Sequence, residues 1–174
     1  WKRVTGVQTC ALPISRQQEG LRFSCARCSS CCRGGPGYVF LSKEDLKRLL
    51  LRTSLAFPAF FAEYLTTVDT GTGFALSLKE KPNYDCIFWG ESGCAVYEDR
   101  PVQCSTFPFW SSILSSEEDW RDAGRDCPGI GRGELRSRAY IEERLHARRA
   151  AGTLLLTKDE AAHPERIDAD TLLG

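Results

Sequence analysis

The sequence predicts an α+β fold: a small single domain with short helices around a small hairpin-based sheet, and cysteine-rich metal-binding loops. Three observations predict it. Apolar residues recur at helical spacing in short stretches, a strand-like alternation and a hairpin signal lie between those stretches, and cysteines gather in segments that have neither period. The chain of 174 residues has the length of one ordinary domain, enough to bury a core without staples.

Taken in order, residues 15–20 are polar and read as a lead-in, with Leu21 and Phe23 making the first packed contacts. Residues 33–37 (R-G-G-P-G) form a turn whose glycines let backbone N–H groups approach sulfur, or else a plain connecting loop. Ser42 reads as an N-cap with Asp45 three residues on, a variant of the capping box, so a helix starts at Lys43 with Leu46, Leu49 and Leu50 as its apolar stripe. Pro58 suits the first turn of a second helix, in which Phe57, Phe60, Phe61, Tyr64 and Leu65 recur at helical spacing as core residues rather than a cofactor box. Residues 69–73 (D-T-G-T-G) form a turn, and Phe74, Leu76 and Leu78 then alternate as in a half-buried strand.

Residues 86–89 are a short apolar segment, and 90–93 form the turn of a hairpin whose return strand starts at Cys94, which brings Cys86 and Cys94 near one another. Pro101 opens a short helical segment. Phe107, Pro108, Phe109 and Trp110 then provide an apolar cover of the kind that keeps water from a metal site. A short helix over 117–121 follows Ser116. Cys127 opens C-P-G-I-G-R-G, whose glycines again permit close backbone approach. The last helix is predicted over 134–150, with Glu134 and Arg138 in the favourable i, i+4 order. Its stripe is Leu135, Ala139, Ile141 and Leu145. Arg136, Arg144, Arg148 and Arg149 form a solvated face.

Lys plus Arg and Asp plus Glu number 23 each, so the formal net charge is zero and nothing global attracts nucleic acid or an anionic membrane surface; neither is an expected partner. The longest apolar runs fall well short of the roughly 18 residues of a membrane span. The chain holds nine cysteines and no recognisable signal peptide, which points to a reducing compartment, the cytoplasm. There a cysteine cluster means metal or redox chemistry more often than a disulfide framework. Methionine is absent and Trp1 comes first. Residues 4–14 (V-T-G-V-Q-T-C-A-L-P-I) resemble what one reading frame of a common sequencing-library adapter encodes, and are set aside with Cys10. The expected organisation is an adapter-like artefact and disordered lead-in over 1–20, a cysteine-cluster metal-binding domain over 21–150, and a charged tail without a site over 151–174.

Eight cysteines remain, the count for two sites of four thiolates. Cys25, Cys28, Cys31 and Cys32 stand in one run, C-A-R-C-S-S-C-C. Thiols spaced C-x-x-C can bend around one metal, at about 2.3 Å for zinc. Cα atoms of neighbouring residues are about 3.8 Å apart, below the roughly 4.4 to 6.8 Å of a relaxed disulfide. A Cys31–Cys32 bridge is therefore disfavoured, and the two thiols can serve different metals, or one can be a ligand while the other stays beside the site or reactive.

The order C-x-x-C-x-x-C-C, then Cys86, then Gly93-Cys94 with Tyr97, Arg100-Pro101, Cys104 and Phe107-Pro108-Phe109, then Cys127-Pro128-Gly129-Ile130-Gly131, resembles the YkgJ-type cysteine-cluster family over residues 23–133. These proteins are described as carrying a zinc- or iron-chelating domain. The resemblance implies metal chelation by Cys25, Cys28, Cys31, Cys32, Cys86, Cys94, Cys104 and Cys127. A related cluster occurs in flagellin lysine methylases, which implies an accessory role in a protein-modifying enzyme as one alternative. The chain departs from the family at Ser105, where an arginine usually follows the cysteine of R-P-x-x-C.

Cysteine-only ligation is soft. It favours zinc, or iron with or without sulfide as in an iron-sulfur cluster, over magnesium or calcium. The expected function is metal chelation at one or two centres, the ion organising the loops for an unidentified protein partner. The alternatives are an iron-sulfur electron-transfer protein and a disulfide-stabilised secreted domain. No catalytic residue is assigned: His146 lies on the arginine-rich helix and His163 in the tail, and surface solvation or capping explains Asp85, Asp99 and Asp126 as well as chemistry does.

Overall fold

The structure, a computed structural model, describes residues 20–174; the adapter-like stretch, Cys10 included, lies outside them. Gly20–Phe23 forms β1. Helix α1 (Lys43–Thr53) begins at the expected capping box: Ser42 Oγ accepts the Asp45 N–H at 3.1 Å and the Asp45 carboxylate accepts the Ser42 N–H at 3.0 Å. Helix α2 (Phe57–Tyr64) has Pro58 in its first turn and buries Phe57 and Phe60. Leu65, expected inside that helix, instead opens β2 (Leu65–Asp69). The β-branched run Thr66-Thr67-Val68 favours a pleated strand over another helical turn.

Strand β3 (Phe74–Leu78) follows the predicted turn and pairs antiparallel with β2, from Leu65 opposite Leu78 to Asp69 opposite Phe74. The predicted hairpin is β4 (Trp89–Gly90) and β5 (Gly93–Cys94), with Trp89 opposite Cys94. Helix α3 (Val102–Thr106) follows Pro101. Helix α4 runs over Glu117–Asp126, beyond the expected 121, and Ser116 caps it by accepting the Asp119 N–H at 3.0 Å. Then come β6 (Ile130–Ser137), α5 (Arg138–Ala151), β7 (Leu155–Leu156), α6 (Lys158–Ala162) and α7 (Ala169–Leu173).

Helices and three small antiparallel sheets make this an α+β fold: β1 pairs β6, β3 lies between β2 and β7, and β4 pairs β5. The helix predicted over 134–150 is corrected at its start, because residues 134–137 belong to β6. Gly20, Leu21 and Arg22 pair with Ser137, Arg136 and Leu135, a partnership more than a hundred residues apart that no local period reveals. The i, i+4 ion pair within α5 is accordingly Arg138 with Glu142, at 2.7 Å, while Glu134 pairs with Arg136 along the strand.

Two buried clusters form the core. The first joins Leu41, Leu46, Leu49, Phe57, Phe60, Leu65, Leu76 and Phe88 with Leu154 and Leu156, and Cys86 and Cys94 pack against it. The second joins Leu21, Phe23, Phe109, Leu114, Ile141 and Leu145, and Cys127 packs against it. Burying one such leucine or phenylalanine contributes about 1.5–3 kcal/mol. The segment from 151 on, expected as a charged tail, enters the first cluster: Leu154 donates to the Leu41 carbonyl at 2.7 Å, accepts from the Leu76 N–H at 3.1 Å, and β7 pairs with β3.

Candidate metal centre

The cysteine run folds as an irregular loop ending in a 3-10 turn over Ser30–Cys32, and two of its residues, Arg27 and Ser29, take positive φ. Cys25, Cys28 and Cys31 are exposed, whereas Cys32, Cys86, Cys94, Cys104 and Cys127 are partly buried; all eight are free thiols. Cys31 and Cys32 sulfurs lie 3.8 Å apart. The loop is tied down at both ends. Ahead of Cys25, the Ser24 N–H donates to the Gly129 carbonyl at 3.3 Å and Ser24 Oγ accepts the Glu134 N–H at 3.2 Å, which knits it to the Cys127 loop. A Cβ on Gly129 would meet the Ser24 carbonyl oxygen at 2.3 Å, so this approach requires glycine. Behind the run, the Cys32 carbonyl accepts the Cys86 N–H at 2.8 Å.

Of the remote cysteines, Cys86 lies ahead of the hairpin at an isolated bridge to Glu80, Cys94 is in β5, Cys104 in α3 and Cys127 at the end of α4. The backbone N–H of Phe88 supports the sulfur of Cys86, that of Val96 the sulfur of Cys94, and those of Gly129 and Ile130 the sulfur of Cys127. In each case the donor lies two or three residues beyond the cysteine, and it favours the thiolate. The glycines of C-P-G-I-G-R-G thus act as expected, whereas in the R-G-G-P-G turn the Gly37 N–H goes to the Glu80 carboxylate at 2.8 Å.

Electrostatics show which thiols are neighbours. Burial, then the charges of Cys86, Cys31 and Cys94, push the Cys104 thiol well up. Burial also raises Cys86, Cys94 and Cys127. Within the adjacent pair, the hydrogen bond between the two thiols lowers Cys31 to about 7, while Cys32 is raised by the same bond and by burial. The charge of Cys31 thus acts on Cys86, Cys94, Cys104 and Cys127. Cys25 lies beside Tyr97, whose hydroxyl it raises after burial does. Among the described residues no group of three or more His, Cys, Asp or Glu side chains converges on a common metal position. The chemistry of the donor set, eight thiols of which Cys86, Cys94 and Cys127 have supporting amides, fits a soft thiophilic metal.

Three polar residues that the sequence did not single out for this region position it. Asp45, read only as a helix cap, is fully buried, and its Oδ1 accepts the Val102 N–H at 2.9 Å, which anchors the start of the Cys104 helix. Gln103 joins both halves of the molecule. Its Oε1 accepts from the Phe40 N–H and from Arg148, its Nε2 donates to the Tyr38 carbonyl, and its own carbonyl accepts from Trp110 Nε1. Asp85, read as a surface or capping residue, is 3 % exposed and pairs with Arg33 at 3.2 Å. The guanidinium of Arg33 in turn lies 3.9 Å from the centre of the Trp89 ring. Phe107 and Trp110 do not seal the thiols as a lid. They wall a cavity of about 480 Å3 that reaches Cys31, Cys104 and Cys127, while Phe109 turns into the second cluster.

No helix among the described residues is long and apolar enough to cross a membrane. No solved structure matches the chain. The family model CxxCxxCC, "Putative zinc- or iron-chelating domain", matches residues 24–128, a span that holds all eight of these cysteines and more than half of the sequence. The chain belongs to the CxxCxxCC family of zinc- or iron-chelating domains.

Proposed function

We propose that this protein binds one or two zinc or iron centres in the cytoplasm through the thiolates of Cys25, Cys28, Cys31, Cys32, Cys86, Cys94, Cys104 and Cys127, and that the metal organises the surrounding loops for a protein partner. The observation that carries this reading is the set of amide donors beyond Cys86, Cys94 and Cys127. Three separate chain segments present a sulfur together with a backbone N–H that stabilises it as thiolate, the form that binds metal. Crowding and burial oppose ionisation of the same sulfurs, and a divalent cation removes that opposition, since binding and deprotonation are coupled. Zinc supplies a closed cross-link between the segments, whereas iron with sulfide supplies a one-electron couple.

The test is purification of the full chain without oxygen, followed by metal and acid-labile sulfide analysis beside the visible spectrum. On a stoichiometry of four thiolates per centre we expect about one or two zinc ions per chain, or about one or two iron-sulfur clusters, each with several irons and matching sulfide. Zinc without sulfide makes the role structural or regulatory, and iron with sulfide makes it electron transfer. Protein that takes up neither zinc nor iron and sulfide after full reduction would falsify the reading. Thiols that resist alkylation until a reductant is added would replace it with the disulfide-stabilised secreted domain.

A further inference from the structure

The cavity of about 480 Å3 beside the cysteine loop has apolar walls and one charged side chain. Phe107, Trp110, Pro36, Val39 and Ala123 form the walls, and the charge is the carboxylate of Asp126. The volume lies within the roughly 300–1,000 Å3 of sites that take a ligand. Asp126 is the last residue of α4, where the unpaired carbonyls of a helix already concentrate negative potential. Earlier in α4, Asp119 accepts from Ser116 and Asp122 pairs with Arg125 at 3.1 Å, whereas the Asp126 carboxylate has no such partner among the described residues. The rings of the cavity lack cations in the same way. Trp89 carries Arg33 and Lys81, Tyr97 carries Arg27 and Arg100, and Tyr140 carries Arg136 and Arg144. Trp110 and Phe107 carry none among the described residues. They meet edge to face at 5.2 Å, and the Trp110 ring is fixed by its Nε1–H, which donates to the Gln103 carbonyl at 3.0 Å. Arg148, held by the Gln103 side chain at 2.8 Å, does not line the cavity.

We propose that this cavity receives an arginine side chain of a protein partner, its guanidinium packed on the Trp110 and Phe107 rings and paired with the Asp126 carboxylate. The chemistry of the lining selects this occupant. Apolar walls beside a lone anion reject acidic and strongly hydrated groups, because nothing there compensates their desolvation. A guanidinium is planar, weakly hydrated and stacks on aromatic faces, whereas an ammonium is a strongly hydrated point charge. The protein makes the same choice on its own rings, where five of the six cations are arginines. This assignment rests on the protein partner of the function proposed above, and it needs no convergence of the thiols on a metal.

The test is binding of blocked glycine-flanked tripeptides, with arginine, lysine, norleucine or glutamate at the centre, to the reduced full chain purified without oxygen. NMR signals of the Ala123 and Cys127 amides and of the Trp110 indole N–H report occupancy. The arginine peptide is expected to shift them saturably, at about fivefold lower concentration than the norleucine peptide, the gain from one exposed ion pair or cation–π contact. Lysine should fall between the two, and glutamate should not bind. Asp126→Asn and Trp110→Leu should each weaken the arginine peptide about fivefold and leave the norleucine peptide within about twofold. Asp122→Asn serves as control, because Asp122 is engaged by Arg125 and lies outside the cavity lining. Asp126 is exposed, so its variant remains informative even if Trp110→Leu unfolds, which circular dichroism reports. A norleucine peptide that binds as tightly as the arginine peptide makes the cavity merely apolar and overturns the proposal. So do a lysine peptide that binds more tightly than arginine, an Asp126→Asn variant within twofold of the parent, a control that loses as much, or no binding by any peptide. Metal analysis of the same sample reports on chelation separately. Arginine-selective binding by a chain without metal sustains this proposal while the chelation reading fails, and no binding by a zinc-loaded chain overturns this proposal alone.

Discussion

The N-terminal cysteine run and the remote cysteines solve the same chemical problem in opposite ways. Cys25, Cys28 and Cys31 are adjacent in sequence but exposed on an irregular loop. Cys86, Cys94, Cys104 and Cys127 are far apart in sequence, yet each is partly buried and held by a strand bridge, a hairpin strand or a helix, and three of them have amide donors at the sulfur. Sequence proximity gives the run a high local concentration of thiols, while the fold gives the remote set a fixed geometry. Fixed geometry costs less ordering entropy when a ligand binds. The remote set should therefore govern how tightly a metal is held, and the run how readily it is exchanged.

The sharpest way to break this comparison is to remove one sulfur from each side. Cys104→Ser is expected to lower zinc affinity by more than about a hundredfold and Cys25→Ser by about tenfold, since a preorganised ligand outweighs a loop ligand; chelator competition measures both. Equal losses would erase the distinction. A smaller effect is expected at Gln103. Gln103→Ala leaves the Phe40 N–H and the Arg148 guanidinium without their shared acceptor, and should cost about 1–3 kcal/mol in urea unfolding, with a parallel loss of metal affinity because Cys104 follows directly.

The smallest effect concerns reactivity in metal-stripped, reduced protein. Cys31 is lowered to about 7, whereas burial raises Cys86, Cys94, Cys104 and Cys127. Iodoacetamide should therefore label Cys31 before those four. Its rate should fall about tenfold from about pH 8 to about pH 6, because the reactive thiolate is the majority form above its pKa and a minority below it. Mass spectrometry of the modified peptides gives the order.

Local signals made most of the elements legible. The Ser42 capping box, the helical spacing of Phe57 and Phe60, and the glycine turn before Cys94 each encode their element within a few residues. What escaped was non-local. The β1–β6 pairing overrode a good helical pattern at Glu134 and Leu135 because its partner lies at Gly20–Phe23. Asp45 read as an ordinary cap because its bond to Val102 crosses 57 residues. For the candidate site, the cysteines and the run were plain in the sequence. The supporting amides and the Gln103 junction depend on which loops meet, which spacing does not encode.

Strand β7 has a consequence for how the molecule is made. Leu154 and Leu156 complete the first buried cluster, and β7 docks on β3, so that cluster closes only after residue 156 has been synthesised. The eight candidate ligands, from Cys25 to Cys127, leave the ribosome earlier. At about 5–20 residues per second, the nascent chain has a few seconds in which every one of these thiols is out while the first cluster still lacks its closing strand. In that interval metal delivery competes with oxidation and aggregation, and the timing of β7, rather than any thiol, sets how long the competition lasts.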